Sequence, residues 1–158
     1  MADQPLKEQR RSRRIAMTDE ERDAFLARER VCRVATVGAD GAPHVTPLWF
    51  VWDGSALWLN SIVRSQRWVD LQREPRIAIV IDGGREYSEL CGVEIEGAAS
   101  VLGAVPRGDE DEPALVEVER AFARKYSDSE VYRPDGFHAW LRVQPGKITS
   151  WNFQKSGG

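Results

Sequence analysis

The sequence predicts a mainly β protein with peripheral helices, in which six or so short antiparallel strands form a small closed barrel. Two observations carry this prediction. Runs rich in β-branched and aromatic residues follow one another with turn signals between them. Strands and helices do not alternate in a sustained way, which disfavours a parallel sheet of the Rossmann type. A small all-antiparallel barrel is the simplest fold that accommodates both observations.

The first helix is predicted from a capping box. Thr18 is the N-cap and Glu21 follows three residues later, so each side chain can bind the other residue's backbone N–H. Phe25 and Leu26 supply a small apolar face. We therefore expect a short helix that ends near Glu29.

Three antiparallel strands follow, as a meander over residues 31–37, 43–52 and 56–61. The two connecting segments, GADGA and DGS, each contain an Asp-Gly pair, which is a strong signal for a tight turn between strands. Pro47 falls inside the second strand and removes a backbone donor there. A proline in that position indicates an edge strand, a bulge or a segment that lines a ligand.

A helix and two strands are predicted in the middle of the chain. The helix covers residues 64–73 and stops before Pro75, because proline cannot continue a helix. Residues 76–82 form a short apolar run typical of a buried strand. In residues 91–103, Val93 and Ile95 alternate with Glu94 and Glu96, as expected of a half-exposed strand.

The last part of the chain predicts one more helix and two more strands. The helix begins at Pro113 and places Leu115, Val118 and Phe122 on one buried face. The strands cover residues 138–145 and 147–154, with a turn expected at the Pro-Gly pair between them.

Composition and charge are those of an ordinary soluble domain. The 158 residues are enough for one domain, and 42% of them are hydrophobic and 30% charged. No apolar run approaches the roughly 20 residues that cross a bilayer, and no apolar segment of a signal peptide follows the basic N-terminus. Two cysteines without a secretory signal favour a reducing compartment. We expect a cytoplasmic protein that binds no membrane.

The charge is uneven along the chain. The first 16 residues contain five basic and two acidic side chains, Lys7, Arg10, Arg11, Arg13 and Arg14 against Asp3 and Glu8. This segment carries +3, and since the whole chain carries −3, residues 17–158 carry −6. We expect residues 1–16 to form a disordered basic tail and residues 17–158 to form the single folded domain. The tail could also contact an anionic ligand or a neighbouring subunit.

Nucleic acid is a poor candidate partner, because the body of the protein is acidic and no strand interleaves arginine with aromatic residues.

The sequence gives little support for a metal site or for a catalytic nucleophile. His44 and His138 lie at no metal-ligand spacing, and Cys32 and Cys91 are 59 residues apart. The sequence contains no GxSxG, Walker A or GxGxxG motif. An enzyme of this kind would take its reactive group from a bound cofactor.

The segment SIVRSQRWVDLQREPR concentrates arginine at the predicted start of a helix. The free N–H groups and the positive dipole end of a helix attract anions. Arg64 and Arg67 are three residues apart, so both side chains can reach one phosphate, and Asn60 and Ser61 add uncharged donors at the preceding strand end. The alternative is that Arg67 pairs with Asp70 and that Arg64 is solvated.

An aromatic stripe on the second predicted strand gives a weaker signal. Trp49, Phe50 and Trp52 could line a wide planar pocket. Aromatic residues in a small barrel are more often part of the core, and the sequence leaves both possibilities open.

Long stretches of the chain resemble a known superfamily. RVATVGADGAPHVTPLWFVWDGSALWLNSIVRSQRWVDLQREPRIAIVID is similar to the N-terminal half of the pyridoxamine 5'-phosphate oxidase-like split β-barrel proteins. GVEIEGAASVLG and HAWLRVQPGKITSWNFQ resemble the flavin/deazaflavin oxidoreductase B branch of that superfamily. The most specific pieces are GxPHVTPLWF and the basic helix ending in LxxxPR. The likeness runs from about Thr18 to Lys155 and implies a split β-barrel of antiparallel Greek-key type.

The resemblance also implies a homodimer with two cofactor molecules at the subunit interface. The positions that it assigns to cofactor contact are Thr46, Pro47, Leu48, Trp49, Asn60, Ser61, Arg64, Gln66, Arg67, Trp151 and Asn152. The first four would flank the tricyclic ring, and the next two would approach the ring or the ribityl chain. Arg67 stands at the phosphate-binding position, with Arg64 and Gln66 beside it. Trp151 and Asn152 would reach the cofactor of the partner subunit.

The implied activity is hydride transfer between coenzyme F420 and an unknown small organic substrate. FMN is the alternative cofactor, since it shares the tricyclic ring, the ribityl chain and the phosphate. F420 also carries a lactyl-oligoglutamate tail, which the basic N-terminus could accommodate. A non-catalytic flavin or haem carrier is the third possibility, with His44 as the strand candidate for an axial ligand. His138 is followed by AWLRVQP and not by the arginine–histidine pattern of true pyridoxine phosphate oxidases, which argues against vitamin B6 oxidation.

Overall fold

The computed structural model describes residues 4–10 and 12–157, and within them an antiparallel sheet of seven strands carries three α-helices. The strands are β1 Cys32–Val37, β2 Pro43–Leu48, β3 Phe50–Trp52, β4 Leu57–Ile62, β5 Arg76–Gly83, β6 Cys91–Leu102 and β7 His138–Asn152. The helices are α1 Asp19–Arg28, α2 Gln66–Arg73 and α3 Val116–Ser127. Positions 1–3 and 11 of the predicted tail, and residue 158, lie outside the described residues.

The strand order explains how the sheet curls. It runs β2-β1-β5-β6-β7-β4-β3, and every neighbouring pair is antiparallel. The two edge strands, β2 and β3, are consecutive in the chain and are joined through Trp49. β2 also contacts β4 without forming a ladder with it. The sheet therefore curls until its edges meet at an unpaired seam, which confirms the predicted split barrel.

The prediction of one strand over residues 43–52 is wrong. β2 pairs with β1 and β3 pairs with β4, so the expected three-stranded meander is two separate hairpins at opposite edges of the sheet. The pattern of burial changes within the segment. β2 alternates exposed with half-buried side chains, whereas Phe50 and Val51 of β3 are both buried, Phe50 inside the barrel and Val51 outside it. A continuous run of β-forming residues does not reveal that the chain passes from one sheet edge to the other within it. Pro47 is exposed on the edge strand β2, as a proline in a strand should be.

β4 separates two apolar cores. Leu57 and Leu59 point into the barrel, where they pack with residues of α1, α2 and the other strands. Trp58, between them, points to the other face and packs with Val51, Leu115, Val118 and Trp140 beneath α3. Because side chains alternate along a strand, neighbouring residues of β4 belong to different compartments.

The predicted Pro-Gly turn in the last part of the chain is wrong as well. β7 continues through it as one strand that pairs with β6 along its length and with β4 at its start. Glu96 pairs with Lys147 and Gly97 pairs with Pro145, so Gly146 is an extra residue in the ladder. This is a β-bulge, and it accommodates a proline that has no N–H to donate.

The helix ends follow their capping residues. The capping box of α1 is confirmed, since Glu21 N donates to Thr18 Oγ1 (3.2 Å) and Thr18 N donates to Glu21 Oε2 (2.8 Å). α2 begins two residues later than predicted, because Ser65 is its N-cap and accepts a hydrogen bond from Trp68 N (3.2 Å). Arg64 therefore precedes the helix. No helix in the described part of the chain is long and apolar enough to span a membrane.

The described part of the N-terminal segment lies along β7. Lys7 N donates to Gly146 O (2.9 Å), and the Gln9 side chain exchanges two hydrogen bonds with the backbone of Ser150, each 3.0 Å long. Met17 N donates to Ser150 Oγ (2.9 Å). The disorder expected for residues 1–16 stays a prediction, and these contacts give the segment a defined place on the sheet.

Candidate functional site

The first turn of α2 places an arginine at the seam of the barrel. Trp68 and Leu71 anchor α2 in the barrel core. Arg67 is consequently only 5% exposed. Its Nε donates to Ser61 Oγ on β4 (3.2 Å), and its Nη1 donates to Thr46 Oγ1 on β2. One guanidinium thus bridges two strands that do not pair. We call Thr46, Ser61 and Arg67 the Arg67 cluster.

The positive charge of Arg67 is buried without a carboxylate to balance it. Within the described residues, no Asp or Glu oxygen lies within 4.0 Å of the guanidinium, and its Nη2 meets no hydrogen-bond acceptor. Burial lowers the pKa of Arg67, because the charged form loses its hydration. A buried cation of this kind is costly unless an anion joins it. The free guanidinium edge and the two hydroxyls fit a phosphate group.

Asp70 is engaged elsewhere, so the alternative in which it neutralises Arg67 is not realised. Its Oδ1 accepts from Gln66 Nε2 (2.8 Å) and its Oδ2 accepts from Thr36 Oγ1 (2.9 Å). The hydrogen bond from Gln66, followed by that from Thr36, holds the pKa of Asp70 below its usual range against the opposing effect of burial. His44 Nδ1 lies 3.8 Å from Asp70 Oδ2 and has no hydrogen-bond partner among the described residues.

The predicted neighbours Asn60 and Ser61 point to opposite sides of β4. Ser61 faces the barrel and Arg67, whereas Asn60 Nδ2 donates to Tyr132 OH on the other side (3.0 Å). Alternation along the strand makes this unavoidable. The structure therefore does not bring both side chains to one segment of a ligand on the same side of β4.

The side of β4 that carries Asn60 borders a cavity of about 470 Å³, which we call the α3 cavity. Its walls come from α3, from residues 128–137 between α3 and β7, and from the seam of the barrel. Three predicted cofactor residues line it, namely Leu48, Trp49 and Asn60. Sequence reasoning missed the others that matter most here: Phe122, Tyr132, Arg133, Asp135 and His138.

Aromatic rings give the α3 cavity a flat apolar wall. Trp49 is 47% exposed and stacks on Tyr126, with ring centroids 4.3 Å apart and planes 7° from parallel. The Tyr126 hydroxyl is fixed because it accepts from Phe50 N (3.0 Å) and donates to backbone carbonyl oxygen. Burial raises the pKa of Tyr126 to about 12, so this hydroxyl stays protonated. Trp49 thus lines the cavity and is not part of the core.

At the polar end of the α3 cavity, Asp135 holds His138. Asp135 Oδ1 accepts from Phe137 N (2.8 Å) and His138 N (3.1 Å), and its Oδ2 lies 2.6 Å from His138 Nδ1. Burial raises the pKa of Asp135, but these hydrogen bonds outweigh it and hold the pKa below its usual value. The carboxylate is therefore ionised and can only accept, so Nδ1 carries the hydrogen. Among the described residues, His138 Nε2 has no partner.

The sequence contains a signal for this pair, although it is a weak one. Asp135 and Gly136 lie in the loop before β7, and His138 is the first residue of that strand. An aspartate that accepts hydrogen bonds from the backbone two and three residues later is a common turn device. The pattern predicts a turn. It does not predict that the turn faces a cavity, because that depends on α3 and β4.

The remaining predicted site residues lie outside both groups. Arg64 is exposed and has no ion-pair partner among the described residues. Trp151 and Asn152 pair with Gly92 and Cys91, at the opposite end of β7 from His138. Within one chain they do not join the Arg67 cluster. No three His, Cys, Asp or Glu side chains in the described part of the chain are arranged to hold a metal ion.

Comparisons with known proteins agree with this architecture. The family model of pyridoxamine 5'-phosphate oxidase matches residues 18–152. No curated protein sequence is significantly similar to the chain. Among solved structures, a conserved hypothetical protein from Mycobacterium tuberculosis is 29% identical, with a TM-score of 0.78 over 96% of this chain and 94% of that chain.

Two more distant structures share the fold. An F420 reductase is 20% identical, with a TM-score of 0.60 over 80% of this chain and 94% of that chain. The haem storage protein from Vibrio cholerae is 17% identical, with a TM-score of 0.60 over 77% and 85% of the two chains. The family match spans both the Arg67 cluster and the α3 cavity. The chain therefore belongs to the pyridoxamine 5'-phosphate oxidase family, a family of flavin-binding oxidoreductases.

Proposed function

We propose that the protein is an oxidoreductase that transfers a hydride between coenzyme F420 and a small organic substrate. The observation that carries the proposal is the buried guanidinium of Arg67, which has no carboxylate partner among the described residues. An F420 reductase of the same fold supports the choice of cofactor. When bound, F420 supplies the carbon that donates or accepts the hydride.

The Arg67 cluster would hold the cofactor phosphate. Arg67 Nη2 is free to donate, and Ser61 and Thr46 add hydroxyl groups from the two sides of the seam. A planar guanidinium can bind two phosphate oxygens at once. Arg64 adds a second positive charge just before the helix, and Asp70 holds the Gln66 side chain in place.

The seam would position the ring. Leu48 and Trp49 lie where the chain passes from one sheet edge to the other, and both border the α3 cavity. A flat apolar surface there orients a tricyclic ring and keeps water from one of its faces. The exposed ring of Trp49 is the largest such surface at the seam.

The protein would act as a homodimer in which each site uses residues of both subunits. Trp151 and Asn152 lie far from the Arg67 cluster of their own chain, at the end of β7 that also carries the N-terminal segment. If Trp151 and Asn152 reach the partner's cofactor, the basic N-terminal residues beside them also lie near that cofactor. Arg10 and Arg14 are exposed, so they could pair with the glutamate tail of F420, which FMN lacks.

The test is a fluorescence titration of the apoprotein with F420, with FMN and with the deazaflavin and flavin analogues that lack the phosphate. We expect F420 to bind most tightly. We expect Arg67→Ala to weaken F420 binding roughly 10- to 100-fold, because a hydrogen-bonded charge is lost, and to leave the phosphate-free deazaflavin unaffected.

Arg76→Ala is the matched control, because Arg76 is an exposed arginine whose one ion-pair partner among the described residues is Glu74. It should bind F420 like the wild type. Preferential binding of FMN would mean that the protein is a flavin-dependent oxidoreductase and not an F420-dependent one. If neither cofactor binds, or if Arg67→Ala weakens the phosphate-free analogue equally, the phosphate assignment is wrong.

A further inference from the structure

We propose that His138, oriented by Asp135, exchanges a proton with a substrate bound in the α3 cavity, and that Arg133 binds an anionic group of that substrate. The substrate class is a planar aromatic or conjugated carbonyl compound that carries a carboxylate. The inference rests on the proposed function for the source of the hydride, and on the described residues of the cavity for everything else.

The geometry of the pair is that of an acid–base group. The ionised carboxylate of Asp135 is fixed by two backbone N–H groups and accepts from His138 Nδ1 at 2.6 Å. This contact sets the ring orientation and leaves Nε2 as the reactive nitrogen. Nε2 is without a partner among the described residues, and the ring borders the cavity. Asp135 acts through His138, so it is a positioning residue.

His138 is also placed beside the predicted ring position. It pairs with Ile62 on β4, and Asn60, two residues earlier on the same face, borders the same cavity. Trp49 and Leu48 complete the wall on the seam side. A substrate in the cavity therefore contacts the seam on one side and His138 on the other.

The chemistry of the lining defines the substrate class. A volume of about 470 Å³ accommodates a small organic molecule. Trp49, Phe122 and Tyr132 favour a flat apolar body. Arg133 also lines the cavity, and among the described residues it has no ion-pair partner. One unpaired cation in an aromatic cavity is complementary to a carboxylate.

The proposed step is balanced as follows. When bound, the reduced deazaflavin would supply a hydride, with its two electrons, to the carbonyl carbon of the substrate and would itself be oxidised. His138 enters this direction of the step as the imidazolium, with a hydrogen on each ring nitrogen. The π-electron pair of the C=O bond moves to oxygen, and that oxygen takes the Nε2 proton to give an alcohol, which leaves the neutral imidazole with its hydrogen on Nδ1. The neutral imidazole then recovers a proton from water through the open side of the cavity. In the reverse direction, Nε2 removes the hydroxyl proton.

The first test needs no turnover. The chain has two histidines, His44 and His138, so ¹⁵N spectra of the histidine-labelled protein are assigned with a His44→Gln variant. We expect the neutral form of His138 to carry its hydrogen on Nδ1, and Asp135→Asn to move that hydrogen to Nε2, because the amide can donate to Nδ1. Addition of 4-formylbenzoate should shift the Nε2 signal saturably, and Arg133→Gln should weaken that binding about tenfold.

The second test follows a single turnover of the reduced F420 complex with 4-formylbenzoate. His138→Gln should slow the step about 100-fold while F420 binding is unchanged. His44→Gln is the matched control and should react like the wild type. Equal rates in His138→Gln, no Nε2 shift at millimolar 4-formylbenzoate, or an unchanged tautomer in Asp135→Asn would each overturn the inference. A wild-type protein that binds 4-formylbenzoate but not F420 would refute the proposed function alone.

Discussion

At the scale of single residues, the buried charge of Arg67 is the observation that most directly supports the proposed phosphate site. Its guanidinium is linked to two neutral hydroxyls and to no carboxylate among the described residues. Groups that a fold keeps for binding often reduce its stability, because the ligand completes their interactions. The same residue should therefore have opposite effects on the stability of the apoprotein and on binding.

We predict that Arg67→Met raises the free energy of unfolding of the apoprotein by about 1 kcal/mol, since an apolar side chain of similar length removes a buried unpaired charge. Chemical denaturation of both proteins without cofactor checks this. Under saturating F420 the order should reverse, because only the wild type gains the binding energy. A variant that is less stable than the wild type in both conditions would show that Arg67 is mainly structural.

Lys125 gives a second residue-level prediction, and its sign follows from its pKa. Its amine donates to Leu26 O (3.0 Å) and lies 3.9 Å from the centre of the Phe50 ring. Burial lowers its pKa from 10.5 to about 8. Between these values the unfolded chain binds more protons than the folded one, so this residue makes folding more favourable as pH rises from about 8 to 10.5.

Cys32 and Tyr126 act in the opposite direction, since burial raises the pKa of each to about 12. The measurement is therefore the difference in unfolding free energy between the wild type and Lys125→Met. Cys32 and Tyr126 contribute to both proteins, so their contribution cancels in this difference. We expect the free energy of unfolding of the wild type to rise relative to that of the variant between pH 8 and 10.5. A difference that stays constant with pH would mean that Lys125 keeps an ordinary pKa.

At the scale of secondary-structure elements, the β6–β7 bulge is the feature that lets β7 run unbroken past Pro145. A Cβ at Gly97 would stand 2.2 Å from Gln144 O, whereas a Cβ at Gly146 would meet only Glu96 O at 3.6 Å. The backbones of the two strands are thus in close contact at the first glycine and not at the second.

We predict that Gly97→Ala lowers the free energy of unfolding by about 2–4 kcal/mol, because the strands must separate to admit the methyl group. Gly146→Ala is the matched control and should change it by less than about 1 kcal/mol. Thermal denaturation of the two variants side by side gives the comparison. Equal effects would mean that the bulge tolerates a side chain on either strand.

At the scale of the whole molecule, the distance between the two ends of β7 decides how a site can be assembled. Arg67 belongs to one end of the barrel, and Trp151 to the opposite end of its own longest strand. In the homodimer proposed above, a site that uses both residues draws them from two chains. In a two-fold dimer, each chain would contribute Arg67 to one site and Trp151 to the other.

We predict that Arg67→Ala and Trp151→Ala, each weak in F420 binding alone, restore binding when unfolded together and refolded as a mixture. Half of the dimers should be mixed, and each mixed dimer has one intact site and one doubly defective site, so about a quarter of all sites should recover. Titration with F420 counts them. Recovery of no sites would place both residues in the same subunit's site, or Trp151 outside it.

Features that depend on short-range interactions could be predicted from the sequence. The Thr18 capping box and the break at Pro75 are encoded within a few residues, and the structure agrees with both. Of the three positions that Pro47 left open, the structure shows the edge strand. The ordered motifs between Thr18 and Lys155 were enough to indicate the family. The spacing also singled out Arg67, together with Arg64, as a candidate phosphate ligand, and that role stays a prediction.

The contacts of each side chain could not be predicted in this way and became visible only in the folded structure. Residues 43–52 form two strands at opposite edges of the sheet. Asn60 and Ser61 point to opposite sides of β4, and Asp70 accepts hydrogen bonds from residues other than Arg67. The fold also brings His138 and Asp135 to a cavity shared with α3. The physical reason is that burial and pairing are set by residues distant in the chain. Local pattern fixes the direction of a strand's side chains relative to one another, but not which compartment each of them enters.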